Sequence, residues 1–266
     1  MEQATPCGRF GYIAAGPASA PPLVFLHGIG GAARSFTAQV RHFAPRFHAI
    51  AWDMPGYGQS EPLGVVSIES LAVAFAMFAE TLGLDRPVLV GHSIGGMIVQ
   101  RYVGARPSGT RALVLAQTSP AFGRPDGDWQ RDFINARLGP LDAGHTMAEL
   151  ADCMVDGLVG EGADPDGIAL ARDCMARTPE STYRDTVLAL PGFDQREALG
   201  RIAVPTLVLA GTRDGNAPAD MMRRMATRIP GADYAALEGC GHLANLERPG
   251  EFNAALDRFF SEKGIG

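Results

Sequence analysis

No block of lysines and arginines interrupts this chain of 266 residues, and its formal net charge is −6. The arginines are scattered, so a nucleic-acid partner would find no electrostatic footprint. No apolar stretch reaches the roughly 20 residues that a membrane-spanning helix needs, and no membrane partner is expected. The opening segment MEQATPCGRFGYIAAG has no basic region followed by an apolar core, which predicts no secretory signal. Cysteine is scarce: Cys7, Cys153, Cys174 and Cys240 lie far apart and form no CxxC pair. Such spacing offers no zinc site and, without a signal, implies reduced thiols in a cytoplasmic protein. Cys240 reads as a small packing residue. Internal repeats and low-complexity tracts are missing as well. What is present, 46% hydrophobic and 20% charged residues, is the composition of a folded globular chain rather than a disordered one. Its length suits one large α/β domain or two small ones.

Short apolar runs alternate with longer helical patterns. PLVFLHG from Pro22, FHAIAWD from Phe47, PVLVGHS from Pro87, ALVLAQT from Ala112 and TLVLAG from Thr206 read as strands buried on both faces, because they lack strict alternation. DYAALEG from Asp233 is a sixth candidate, and GRFGYIAAG near the start suits an antiparallel edge strand. Helical patterns cover residues 67–82, with Ser67 as N-cap and Gly83 as stop, residues 94–105 and residues 249–260. Strand–helix alternation of this kind predicts an α/β fold with a doubly wound, mostly parallel sheet. Residues 121–200 break the rhythm with short helix candidates separated by GPLDAG, GEGADPDG and TPEST. The expected organisation is therefore a first core part at 1–120, a helical cap at 121–200 and a second core part at 201–266.

Gly91-His92-Ser93-Ile94-Gly95 fits G-x-S-x-G between a predicted strand and a predicted helix, the context that gives this motif its meaning. Ser93 would then sit on a tight turn with its oxygen exposed, and the glycines would make room where side chains collide. A serine hydroxyl needs a base to become a nucleophile. Of six histidines, His242 in EGCGHLANLERP has the right setting, a loop after the last strand candidate. His27 and His92 read as structural. Asp214, in VLAGTRDGNAP, stands between Ser93 and His242 in chain order and is the expected partner of the imidazole, with Asp220 as the competing carboxylate. The backbone amide of Ile94 and one from HGIGG, Ile29 or failing it Gly30, would receive an oxyanion. This chemistry requires no metal and no organic cofactor.

HGIGG, DMPGYGQS (from Asp53), GHSIGG, and GTRDGNAP followed by GHLANLERP occur in order, and together they resemble the α/β-hydrolase fold superfamily, its serine-nucleophile branch, across nearly the whole chain. Asp53 reads as structural in that pattern. The tail GHLANLERPGEFNAALDRFF resembles the 3-oxoadipate enol-lactonases and small carboxylesterases. The cap segment DWQRDFINARLG, with Trp129, Arg131 and Arg137, is similar to the start of the enol-lactonase cap, where an aromatic and an arginine would meet an acidic lactone. The resemblance implies a small-molecule ester or lactone as substrate, with Trp129 and Arg131 as candidate binding residues. Carbon–carbon bond hydrolases, cofactor-free perhydrolases and small-ligand receptors that keep the triad are the alternatives. Gly30-Gly31-Ala32 and Leu243 depart from the carbon–carbon hydrolase pattern.

Overall fold

A computed structural model describes residues 2–3 (as backbone), 8–123 and 127–266. The chain begins with β1 (Glu2–Gln3), β2 (Tyr12–Ala15), β3 (Pro22–Leu26), α1 (Thr37–Phe43) and β4 (His48–Trp52). Then come α2 (Ile68–Thr81), β5 (Val88–His92), α3 (Ile94–Ala105) and β6 (Ala112–Ala116). Four helices follow without a strand between them: α4 (Asp128–Asp142), α5 (Met147–Asp156), α6 (Pro165–Ala176) and α7 (Glu180–Leu188). The chain closes with β7 (Thr206–Gly211), α8 (Ala219–Ala226), β8 (Asp233–Leu237), α9 (Ala244–Glu247) and α10 (Pro249–Glu262).

The strands form one sheet in the order β1-β2-β4-β3-β5-β6-β7-β8, with β3 to β8 parallel and β1 and β2 antiparallel to their neighbours. Leu23 and Phe25 of β3 enter one core layer and Val24 and Leu26 the other; Leu113 and Leu115 of β6 likewise oppose Val114. Burial on both faces is why these strands read as continuous apolar runs. One layer is completed by Phe75 and Phe78 of α2 and Ile98 of α3, the other by Val40 of α1 and by Phe252, Leu256, Phe259 and Phe260 of α10. The predicted helix at 67–82 is α2: Ser67 caps it, its hydroxyl accepting from the Ser70 amide at 3.0 Å, and Gly83 follows at φ +62°. The initial strand is not at the edge, as its sequence suggests, because β1 pairs outside it.

From β3 the chain moves to β4 on one side and returns to β5 on the other. The loops leaving β3 and β5 therefore diverge at a topological switch point, the place where open α/β sheets hold ligands. Above that point lie α4–α7. Their own apolar cluster includes Leu138, Leu141, Leu150, Val155, Tyr183 and Val187, and it meets the core at Leu246. The ends of the insertion are tied together: Phe122 donates to the Phe193 carbonyl at 3.1 Å and Gln195 to the Pro120 carbonyl at 2.7 Å. GPLDAG does not stop α4 at residue 139. The helix continues through Pro140 because Leu138 and Leu141 on either side are both buried, and a proline in the last turn leaves few bonds to break.

Candidate active site

Ser93 stands between β5 and α3 at φ +54° and ψ −122°. A non-glycine residue held there costs about 1–3 kcal/mol and persists only where its surroundings enforce it. Here the Ser93 amide donates to the Ala116 carbonyl at 3.0 Å, and the Ser93 carbonyl accepts from Thr118 Oγ1 at 2.7 Å. The neighbouring glycines are required by contact. A Cβ on Gly91 would stand 2.6 Å from the Gly96 Cα, and one on Gly95 would collide with the Leu26 carbonyl.

The structure brings Ser93, His242 and Asp214 together. Asp214, in the loop after β7, accepts at Oδ2 from His242 Nδ1 at 2.8 Å. That fixes the tautomer, so His242 Nε2 is free to accept from the Ser93 hydroxyl at 3.0 Å. Burial would raise the Asp214 carboxyl. The His242 charge and hydrogen bond, with the Ala217 and Asn216 amides on Oδ1, outweigh burial and hold it below the ordinary carboxylate value. Asp220 lies exposed in the first turn of α8. The His242 loop is held by a carboxylate that sequence reasoning missed. Buried Glu247 accepts from Gly241 and Leu243, on either side of the imidazole, at 2.8 Å each, and from Gly160 of the insertion at 2.7 Å. Beside it, burial and the Glu247 charge push the Cys240 thiol up to about 12, so it stays protonated. Cys153 and Cys174 are also free thiols, and Cys7 lies outside the described residues.

Two further histidines brace the site. His27 Nε2 accepts from the Met54 amide at 3.1 Å, and its Nδ1 donates to the Gly28 carbonyl at 2.8 Å. His92 Nε2 donates to the His242 carbonyl at 2.6 Å. Burial lowers both, His92 to about 3, with the His242 charge as a second cause there. Asp53 is tied to the Ala33 amide at 2.6 Å and to the Gln59 amide at 3.2 Å.

The two imidazoles stay neutral in the fold, while in the unfolded chain they take up protons near the ordinary value of 6.5. Below that pH the unfolded state binds more protons, so stability falls with pH, by at most about 1.4 kcal/mol per pH unit for each histidine. The loss continues toward about pH 3 for His92. Asp214 acts in the same direction lower down: its contribution is present above the ordinary carboxyl value and disappears as pH falls through its lowered one. Urea unfolding should accordingly show a lower midpoint at pH 5.0 than at pH 7.5. Equal midpoints would contradict this account of His27 and His92.

The Ile94 amide is the first of α3, and the Ile29 amide lies in the turn after β3; neither has an acceptor among the described residues. Ile29 and Ile94 line a cavity together with Ser93 and His242. Its lining includes the mutually packed rings of Phe122, Trp129 and Phe133, and Tyr183. Met154, Leu158, Met175 and Leu243 add apolar side chains to the lining.

The two candidate binding residues part company here. Trp129 lies against Phe122 and Phe133 with ring centroids 5.1 and 5.3 Å away, and it lines the cavity while remaining 48% exposed. Arg131 does not line it. Its side chain is 65% exposed and is paired with Asp128 one turn earlier on α4. The cap arginine that does line the cavity is Arg137. Among the described residues no cluster of histidine, cysteine and carboxylate side chains could hold a metal, and no helix is long and apolar enough to cross a membrane.

The model of the alpha/beta hydrolase fold family matches residues 21–249, and the chain belongs to that family. A pimeloyl-[acyl-carrier protein] methyl ester esterase from Xanthomonas campestris pv. campestris is 28% identical over 246 residues, covering 90% of this chain and 94% of that one. The polyketide synthase ThaQ from Burkholderia thailandensis is also 28% identical, over 249 residues, which are 91% of this chain but 12% of that protein. Among solved structures, the enol-lactonase from Burkholderia xenovorans LB400 superposes with a TM-score of 0.83 at 25% identity, covering 95% of this chain and 96% of that one.

Proposed function

We propose that the chain is a serine hydrolase that cleaves an ester or lactone bond of a small molecule through an acyl-enzyme. Ser93 is the nucleophile, His242 the general base and acid, and Asp214 the group that orients the imidazole and stabilises its positive charge. The observation that carries this reading is the unbroken hydrogen-bonded path from Ser93 Oγ through His242 to buried Asp214, anchored on a strained turn inside a cavity. The similarity to a methyl ester esterase and to an enol-lactonase supports this reading, because esters and lactones are open to the same attack.

Attack of Ser93 Oγ on the carbonyl carbon transfers the hydroxyl proton to His242 Nε2. The carbonyl oxygen becomes an oxyanion between the Ile29 and Ile94 amides, each donor of this kind being worth about 10²–10³ in rate. Collapse breaks the bond to the leaving oxygen, which takes the proton from Nε2. Water then repeats the sequence on the acyl-serine: Nε2 takes its proton, the acid departs, and Ser93 is regenerated. Residues 121–200 act as a cap that supplies much of the cavity wall and sets substrate choice, with Trp129 in direct contact. The free thiols at Cys153, Cys174 and Cys240 suit a reducing, cytoplasmic setting.

Hydrolysis of p-nitrophenyl esters of increasing acyl length tests the reading. Turnover should be saturable and highest for short chains that fit the cavity. Absence of turnover on every ester and on a simple lactone would overturn it.

A further inference from the structure

A second cavity adjoins the first across the Ile29 turn. Gly28, Ile29, Met175 and Leu243 line both, whereas Ile94, Met97 and the packed rings of Phe122, Trp129 and Phe133 border only the first. The second is bounded by Phe36, by Ala171 of α6 and by Leu246 of α9, and most of its lining is apolar. Met175 stands where the two meet. A Cβ on Gly30 would come within 2.8 Å of Met175 Cε, so the thioether lies over the Gly30 backbone. An unbranched side chain with three rotatable bonds can move aside there, which a branched one could not.

Asn245 also lines this second cavity and is 2% exposed. Its Nδ2 donates to the Ser35 carbonyl at 2.9 Å, and its backbone carbonyl accepts from Gln39 Nε2 at 3.1 Å. Flipping the amide would set its oxygen against the Ser35 carbonyl, so the orientation of Oδ1 is fixed. That oxygen is buried and has no hydrogen-bond partner among the described residues. An unmet acceptor in apolar surroundings is costly, and a donor arriving in the cavity would satisfy it. His27 has nothing left to offer such a ligand, since its Nε2 accepts from the Met54 amide and its Nδ1 donates to the Gly28 carbonyl. No aspartate, glutamate, lysine or arginine is among the described residues lining the cavity, which suits a neutral occupant.

The chemistry at Ser93 says which half of a substrate reaches this place. The leaving oxygen takes its proton from His242 Nε2, so it departs on the side of the His242 loop. Leu243, next in the chain, and Leu158, whose carbonyl accepts from the His242 amide at 2.6 Å, both line the second cavity. The acyl chain is left with the side of Ile94, Met97 and the aromatic rings.

We propose that the second cavity holds the alcohol half of the substrate, an apolar arm whose hydroxyl donates to Asn245 Oδ1. This rests on the reading of Ser93 and His242 given above.

The test uses butanoate esters, which share one acyl group and therefore one acyl-enzyme, so that only acylation differs among them in kcat/KM. Each ω-hydroxyalkyl ester, with an arm of two to six carbons, is compared with the n-alkyl ester that carries a methyl in place of the hydroxyl. The wild-type hydroxyl-to-methyl ratio should peak at one arm length and reach about tenfold there, because a buried acceptor penalises the analogue that leaves it unpaired. Asn245→Leu, close in volume, should lower that peak by about threefold or more. Ala171→Leu, which fills the cavity and keeps Asn245, should lower kcat/KM for the best hydroxyalkyl ester relative to methyl butanoate by about tenfold. A wild-type peak under threefold, or a smaller fall than threefold in Asn245→Leu, would overturn the proposal. So would a hydroxyl preference found instead on the acyl half, in methyl ω-hydroxyalkanoates measured against methyl alkanoates.

A crystal structure of Ser93→Ala protein with 5-hydroxypentyl butanoate needs no turnover. The terminal oxygen should lie within hydrogen-bond distance of Asn245 Oδ1; water there, with the arm elsewhere or the ester absent, would overturn the assignment. Wild-type inactivity on every ester, or turnover that survives Ser93→Ala, counts against the catalytic reading instead and leaves the crystal structure to judge the second cavity.

Discussion

Ser93→Ala should lower ester turnover by about 10⁴-fold or more while leaving the unfolding transition near that of the parent. The size follows from what the hydroxyl does. His242 and Asp214 only prepare it, so removing it removes the attacking atom itself, and nucleophiles of this type cost up to about 10⁶ in kcat when deleted. Two features keep the fold from confusing the result. Ser93 Oγ is bonded to His242 alone, and the bonds that hold the turn run through the Ser93 backbone to Ala116 and Thr118. The variant also keeps the φ of +54°, so the strain is carried over unchanged. Turnover within tenfold of the parent would mean that another group attacks.

Asp214→Asn should be nearly as damaging, about 10⁴-fold in kcat, with KM little altered. The carboxylate accepts from His242 Nδ1 and from the Asn216 and Ala217 amides. An amide in its place has one oxygen, which the two backbone donors already claim, and its NH2 would then face Nδ1. The imidazole would turn to the other tautomer, with its proton on Nε2 and no lone pair for the serine hydroxyl. Asp220→Asn, on an exposed turn of α8, is the control and should stay within about twofold. If the two results are exchanged, the carboxylate has been misassigned.

The parts of the fold that local chemistry dictates were legible in the sequence. Strands β3, β5, β6 and β7 announce themselves because both of their faces are covered, and α3 begins at Ile94 because Gly91 and Gly95 leave no other use for the turn. The order of Ser93, Asp214 and His242 along the chain carried the reacting groups. What was not legible depends on contacts between distant segments. Arg137 meets Asn216 across 79 residues, and Glu247 meets Gly160 across 87; no local pattern announces either pairing. Trp129 and Arg131 are a different matter. Two residues apart on a helix, they cannot face the same way, and the spacing from Trp129 through Phe133 to Arg137 already marked the inward face of α4.

The central claim is that Ser93 carries the acyl group between two steps. Acid-quenching wild-type protein during turnover of a p-nitrophenyl ester, followed by mass spectrometry of its peptides, tests this most directly. The account predicts the acyl mass on the peptide containing Ser93, with fragment ions placing it on that residue, and no such adduct in Ser93→Ala. Rapid turnover by an enzyme whose Ser93 peptide never gains the acyl mass, or an adduct that sits on another residue, would contradict it.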